Sequence, residues 1–109
     1  MMKNLVCSLG VATLLVAPFT ALAGKPGDAA KGKETFEQCA GCHNVDSDEK
    51  KMGPGLKGLF QKETFHHGQK PTEENVRAVI NKGGNGMPAY EELLSDEERD
   101  NVIAYLKTL

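Results

Sequence analysis

Cys39-Ala40-Gly41-Cys42-His43 decides how this chain is read. Two thiols stand three positions apart, and an imidazole follows the second directly. That spacing suits covalent attachment of a c-type haem. Each thiol can add to one vinyl group of the porphyrin, and the next residue then lies beneath the ring. On this reading Cys39 and Cys42 carry one covalently attached haem c, and His43 binds its iron. An iron-bound imidazole uses one ring nitrogen and donates its other N–H to an acceptor that fixes the ring. The carbonyl of Pro54, in the turn cluster Met52-Gly53-Pro54-Gly55, is a candidate acceptor. From spacing alone Pro54 is equally well a plain turn residue.

The 109 residues favour one domain. Lys3, the apolar run from Leu5 to Ala17 and the small residues of Ala21-Leu22-Ala23 read as a secretory leader. Residues 1–23 are therefore expected to be cleaved before Gly24, with an uncleaved anchor as the alternative. Cleavage would leave residues 24–109 as the functional domain and would remove Cys7, so that the motif pair remains as its only cysteines. It would also remove one of 13 basic residues and none of the 15 acidic ones, giving 12 minus 15, or −3. This balance does not point to nucleic acid. The mature chain has no apolar run long enough for a membrane span. A periplasmic or otherwise exported protein is expected, with no stable membrane insertion after cleavage.

Helix signals dominate residues 24–109. Asp28 can cap a first helix that runs to about Ala40 and delivers the thiols at its end. Leu56, Leu59 and Phe60 form a short apolar patch at helical spacing. Thr72 caps a second helix with Glu73 and Glu74 in its first turn, and Gly83 and Gly84 end it. Ser95 and Glu98 form a capping box that opens a last helix reaching the C-terminus. No stretch alternates long enough for a convincing strand. The expected class is all-α, with three to five helices and long loops. A domain this small usually needs a staple. A haem wrapped by the loops would supply apolar bulk and account for their length.

Met87, between Gly86 and Pro88, is the candidate second iron ligand. A thioether is soft and neutral and favours reduced iron. Methionine also fills core gaps, and Met52, His66 and His67 compete for the same position.

These segments resemble the class I, single-haem cytochrome c family of secreted bacterial type. The resemblance rests on Gly32-Lys33-Glu34-Thr35-Phe36 before the haem motif, on Gly53-Pro54-Gly55-Leu56-Lys57-Gly58, on Gly86-Met87-Pro88, and on Val102-Ile103-Ala104-Tyr105-Leu106-Lys107. It implies the small cytochrome c fold. It implies that Gly32 and Phe36 pack the first helix on the last near Tyr105. It implies that Pro54 accepts from His43 and that Met87 binds iron on the opposite side. The chain lacks tryptophan, which leaves the propionate partners open among Arg77, Arg99, Lys57 and Tyr90.

Three functions compete. Iron with both axial positions filled has no substrate site, which suits a one-electron carrier and not an enzyme. Such a carrier docks briefly with redox partner proteins at the haem edge, where Lys50, Lys51, Lys57, Lys62 and Lys82 could form part of a ring. A displaceable sixth ligand would instead give a peroxidase or a small-gas sensor, with Gly83-Gly84 permitting the loop to open. Ligand-binding helical bundles, however, place their haem motif late in the chain. A zinc module could use Cys39, Cys42, His43 and His66 or His67. It lacks a second cysteine pair, and adjacent histidines point apart in most backbones.

Overall fold

A computed structural model describes residues 27–109, together with Gly10 and Thr13. The expected leader, residues 1–23, lies outside the described residues apart from those two positions. Among the described residues there are three α-helices, one 3-10 turn and no strand beyond two isolated bridges. The class is all-α.

Helix α1 spans Ala29–Phe36. The Asp28 side chain accepts from the N–H groups of Ala30 and Lys31 at 2.9 and 3.2 Å, which satisfies two of the unpaired donors at the helix start. The helix ends four residues before the expected Ala40. Beyond Phe36 the backbone tightens into three-residue bonds, with Gln38 N–H on Thr35 and Cys39 N–H on Phe36 at 2.7 Å. Such tightening is common at helix ends. Here it leads the chain out of the helix before the thiols.

A 3-10 turn, Leu59–Gln61, follows Gly58, which has φ +67°. Helix α2 spans Glu73–Lys82, capped by Thr72 and closed by Gly83 at φ +59°. Helix α3 spans Asp96–Leu106, and both halves of its capping box form at 3.1 Å. It stops three residues short of Leu109, where Thr108 turns back onto the Tyr105 carbonyl.

α1 packs chiefly on α3, and α2 packs more lightly on the same helix. Gly32 makes the first contact close. A Cβ there would overlap the Asn101 carbonyl and stand 3.0 Å from Tyr105 Cβ. One turn on, Phe36 and Tyr105 meet with ring centroids 5.4 Å apart and planes tilted by 59°. Such a pair contributes about 0.5–1.5 kcal/mol beyond its burial. Asn101 joins the seam by accepting from the Asp28 N–H at 2.8 Å. Arg77–Asp100 and Lys107–Glu73 ion pairs bind α2 to α3.

The core gathers Phe36, Val76, Ile80, Tyr90, Val102 and Leu106, among others. No large side chain in it is completely enclosed. A second set remains half-buried against it, including Cys39, Val45, Leu56, Phe60, Phe65 and Met87. An apolar layer left half-open in this way lacks a partner surface. Among the described residues no helix is long and apolar enough to cross a membrane.

Candidate haem-binding site

Cys39, Cys42 and His43 leave α1 on successive turns. The N–H groups of Cys42 and His43 both donate to the Cys39 carbonyl at 3.0 Å. Both cysteines are unpaired thiols, half-buried. Burial pushes the Cys39 thiol up from its ordinary value, and neighbouring Cys42 adds to the shift. The thiol is therefore held in its neutral form.

His43 is braced from two sides. Its Nδ1 lies 2.8 Å from the Pro54 carbonyl oxygen. A carbonyl can only accept, so Nδ1 carries the proton and the lone pair rests on Nε2. Gly53 lies flat against the ring: a Cβ there would stand 2.8 Å from Nδ1 and 2.9 Å from Nε2. Its N–H donates to the Cys42 carbonyl at 2.8 Å, which ties the Gly53-Pro54 turn to the cysteine segment. His43 and Lys50 form an isolated bridge across the intervening loop.

Met87 sits at the end of a reverse turn. Gly84 and Met87 exchange backbone bonds at 2.9 and 3.0 Å, and the two residues between them, Asn85 and Gly86, have φ of +52° and +91°. Two positive φ angles define the tight hairpin turn that Asn-Gly favours. The Met87 side chain is half-buried against the core. Gly83 closes the base of the turn, with no room for a side chain: a Cβ would fall 2.5 Å from the Pro88 carbonyl oxygen.

The remaining candidates fall elsewhere. Arg99 is 7% exposed and donates to Asn81, Asp96 and the Ser95 carbonyl. Arg77 is paired with Asp100. Both guanidinium groups therefore serve the α2–α3 seam. Met52 is 79% exposed. His66 and His67 do not point apart: their centroids are 3.9 Å apart in an edge-on contact. His67 has φ +51° and Gly68 φ +74°, and the Gln69 N–H closes the turn on the His66 carbonyl at 3.0 Å. Two left-handed residues in succession bring the rings together. Among the described residues no three His, Cys, Asp or Glu side chains cluster as for a metal ion. An open hollow of about 550 Å³ on this loop is lined by Phe60, Lys62 and Lys70, and by none of the four residues expected to bind haem or iron.

Asn101 and Arg99 were not legible as buried. Polar residues inside a helix pattern read as solvated, and only the packing of α1 and α2 on that face turns them inward.

The donor set fits a haem. It offers two unpaired thiols, an imidazole with Nε2 free, a thioether on a separate stiff turn, and a half-open apolar layer. The family model for cytochrome c matches residues 29–109. Cytochrome c2 of Rhodospirillum rubrum is 33% identical over 110 residues, covering 76% of this chain and 98% of that protein. Cytochrome c2 of Blastochloris viridis is 33% identical over 123 residues, covering 97% and 93%. Cytochrome c6 of Thermosynechococcus vestitus is 30% identical over 106 residues, covering 93% and 85%.

The fold is that of a small helical electron-transfer protein built around one covalently bound haem c, and not of an enzyme. The chain belongs to the cytochrome c family, in its class I, single-haem form. It carries single electrons between redox partners.

Proposed function

We propose that Cys39 and Cys42 form the two thioether links, that His43 binds iron through Nε2, and that Met87 binds from the opposite side. The observation that carries this reading is the His43–Pro54 bond at 2.8 Å. It fixes the tautomer that leaves Nε2 unprotonated, and Gly53 holds the ring in place. When bound, the haem supplies a one-electron ferric–ferrous couple. The chain's part is to keep both ligands still as the charge changes. His43 is held by a carbonyl and a glycine backbone, and Met87 by a closed turn. A neutral sulfur donor favours the reduced state. With His43 and Met87 both holding the iron, no position would remain there for a substrate.

Met87→Ala tests the ligand assignment. The variant keeps its covalent haem by mass, has a lower reduction potential than the wild type and binds carbon monoxide rapidly when reduced. An unchanged potential would remove Met87 from the iron.

Docking belongs beside the thiols. Lys50, Lys51 and Lys57 are exposed, and the Lys51–Gly53 turn hydrogen-bonds to the cysteine segment. Lys62 is instead paired with Asp48 at 2.8 Å. The patch for an acidic redox partner therefore centres on Lys50 and Lys51 around exposed Met52. Residues 1–23 serve as an export leader, and the mature chain works in the periplasm or beyond. A secreted polypeptide whose N-terminus is Gly24 is the expected product by mass spectrometry.

A further inference from the structure

His66 and His67 face one another, which adjacent side chains seldom do. Their ring centroids are 3.9 Å apart in an edge-on contact. The backbone brings this about, with φ +51° at His67 and +74° at Gly68. The turn is closed twice: the Phe65 N–H donates to the Gln69 carbonyl at 2.9 Å, and the Gln69 N–H to the His66 carbonyl at 3.0 Å. Phe65 also packs against the core, which seats the turn on the body of the fold. A left-handed histidine is uncommon and persists where the surrounding structure enforces it.

Neither imidazole is spent on the fold. Among the described residues neither ring takes a hydrogen bond or an ion pair, whereas the His43 ring is held by Pro54. His67 is exposed and His66 half-buried, so solutes reach both. An unprotonated imidazole presents one nitrogen lone pair. Two such nitrogens bound to one ion at a right angle, each about 2 Å from it, lie about 3 Å apart. Rings with centroids 3.9 Å apart reach that separation by turning about their side-chain bonds, with the backbone left in place. The charge nearby is mixed. Glu63 and Gly68 line the same hollow, where the carboxylate favours a cation; Lys70 lines it too and opposes one, and Lys62 is paired with Asp48. Two imidazoles with no third such side chain gathered beside them are fewer ligands than a closed structural zinc centre uses. They suit an exchangeable ion that keeps water in its other positions. Imidazole prefers copper, nickel and zinc to magnesium or calcium, and copper(II) is the tightest of that series.

We propose that His66 and His67 form a surface site for one divalent transition-metal ion, separate from the haem and filled most tightly by copper(II). The test titrates the oxidised holoprotein with copper(II), zinc(II) or magnesium(II). Calorimetry follows binding, electron paramagnetic resonance reads the copper ligands, and the visible spectrum reads the haem. His66→Gln and His67→Asn each remove one imidazole, and asparagine suits the left-handed backbone at position 67. The wild type is expected to bind one copper(II) with nitrogen hyperfine structure, zinc(II) more weakly and magnesium(II) not at all, with an unchanged haem spectrum. Each variant is expected to keep its haem spectrum and melting temperature and to bind copper(II) at least about tenfold more weakly, because a second donor on the same turn acts intramolecularly. A copper(II) affinity unchanged in either variant, or no copper(II) bound by the wild type, overturns the site. So does magnesium(II) binding as tightly as copper(II), which marks a diffuse charge effect. A haem spectrum altered during the titration also overturns it, because the ion then sits among the iron ligands.

Discussion

At Gly32 a methyl group would meet the Asn101 carbonyl, which belongs to the α3 backbone and cannot swing away. Gly32→Ala must therefore push α1 off α3 and loosen the Phe36–Tyr105 contact. The expected loss is near the top of the about 1–3 kcal/mol typical of overpacking, read from denaturant unfolding of the holoprotein. Stability within about 0.5 kcal/mol of wild type would show that the two helices can separate freely. Gly53 has the same kind of constraint for a different purpose. Gly53→Ala should tilt the His43 ring, weaken the Pro54 bond and alter the visible spectrum, and an unaltered spectrum would show that the ring does not depend on this support. The residues proposed to meet haem stand out in the sequence because their chemistry is rare: two spaced thiols, an adjoining imidazole, a methionine bracketed by glycine and proline. Asn101 and Arg99 do not, because their inward direction is set by neighbours distant in sequence.

For whole elements, the helix starts and the end of α2 at Gly83 were readable, and the ends of α1 and α3 were not. Asp28, Thr72 and Ser95 each accept from backbone donors one turn on, a local act written in local sequence. The end of α1 depends on where the cysteine segment must go, and nothing within Glu37–Ala40 marks it. Ser95→Ala should remove one half of the capping box and cost about 1 kcal/mol, measured by thermal or denaturant unfolding. The loops were the least legible part, since their shape comes from backbone bonds such as Gly53 to Cys42 and Leu56 to Asn44. One loop-to-loop tie predicts a pH effect. Lys62 lowers the Asp48 carboxyl by hydrogen bond and by charge, with Lys57 adding a little. A depressed carboxylate stabilises the fold above its ordinary value of 3.8 and loses that contribution as pH falls through the lower folded value. Lys62→Gln should therefore be slightly less stable than wild type at neutral pH, and the two unfolding curves should converge in acid. A gap that persists at low pH would assign the effect to packing instead.

Across the whole molecule, fold class and function followed from the order of a few segments, because an all-helical chain this short has few ways to surround a flat cofactor. The base of the Met87 turn limits what else the protein can do. Gly83 and Gly84 invite the thought of a hinge. Gly83, however, lies tight against the Pro88 carbonyl, and the Gly84–Met87 bonds close the turn above it. The backbone that carries Met87 therefore has little slack of its own. Moving that backbone means lifting the hairpin from the end of α2, a larger opening than a side-chain flip. If Met87 holds the iron as proposed, a ligand on so stiff a support would leave it slowly, and dissolved gases and peroxides would find the metal seldom open.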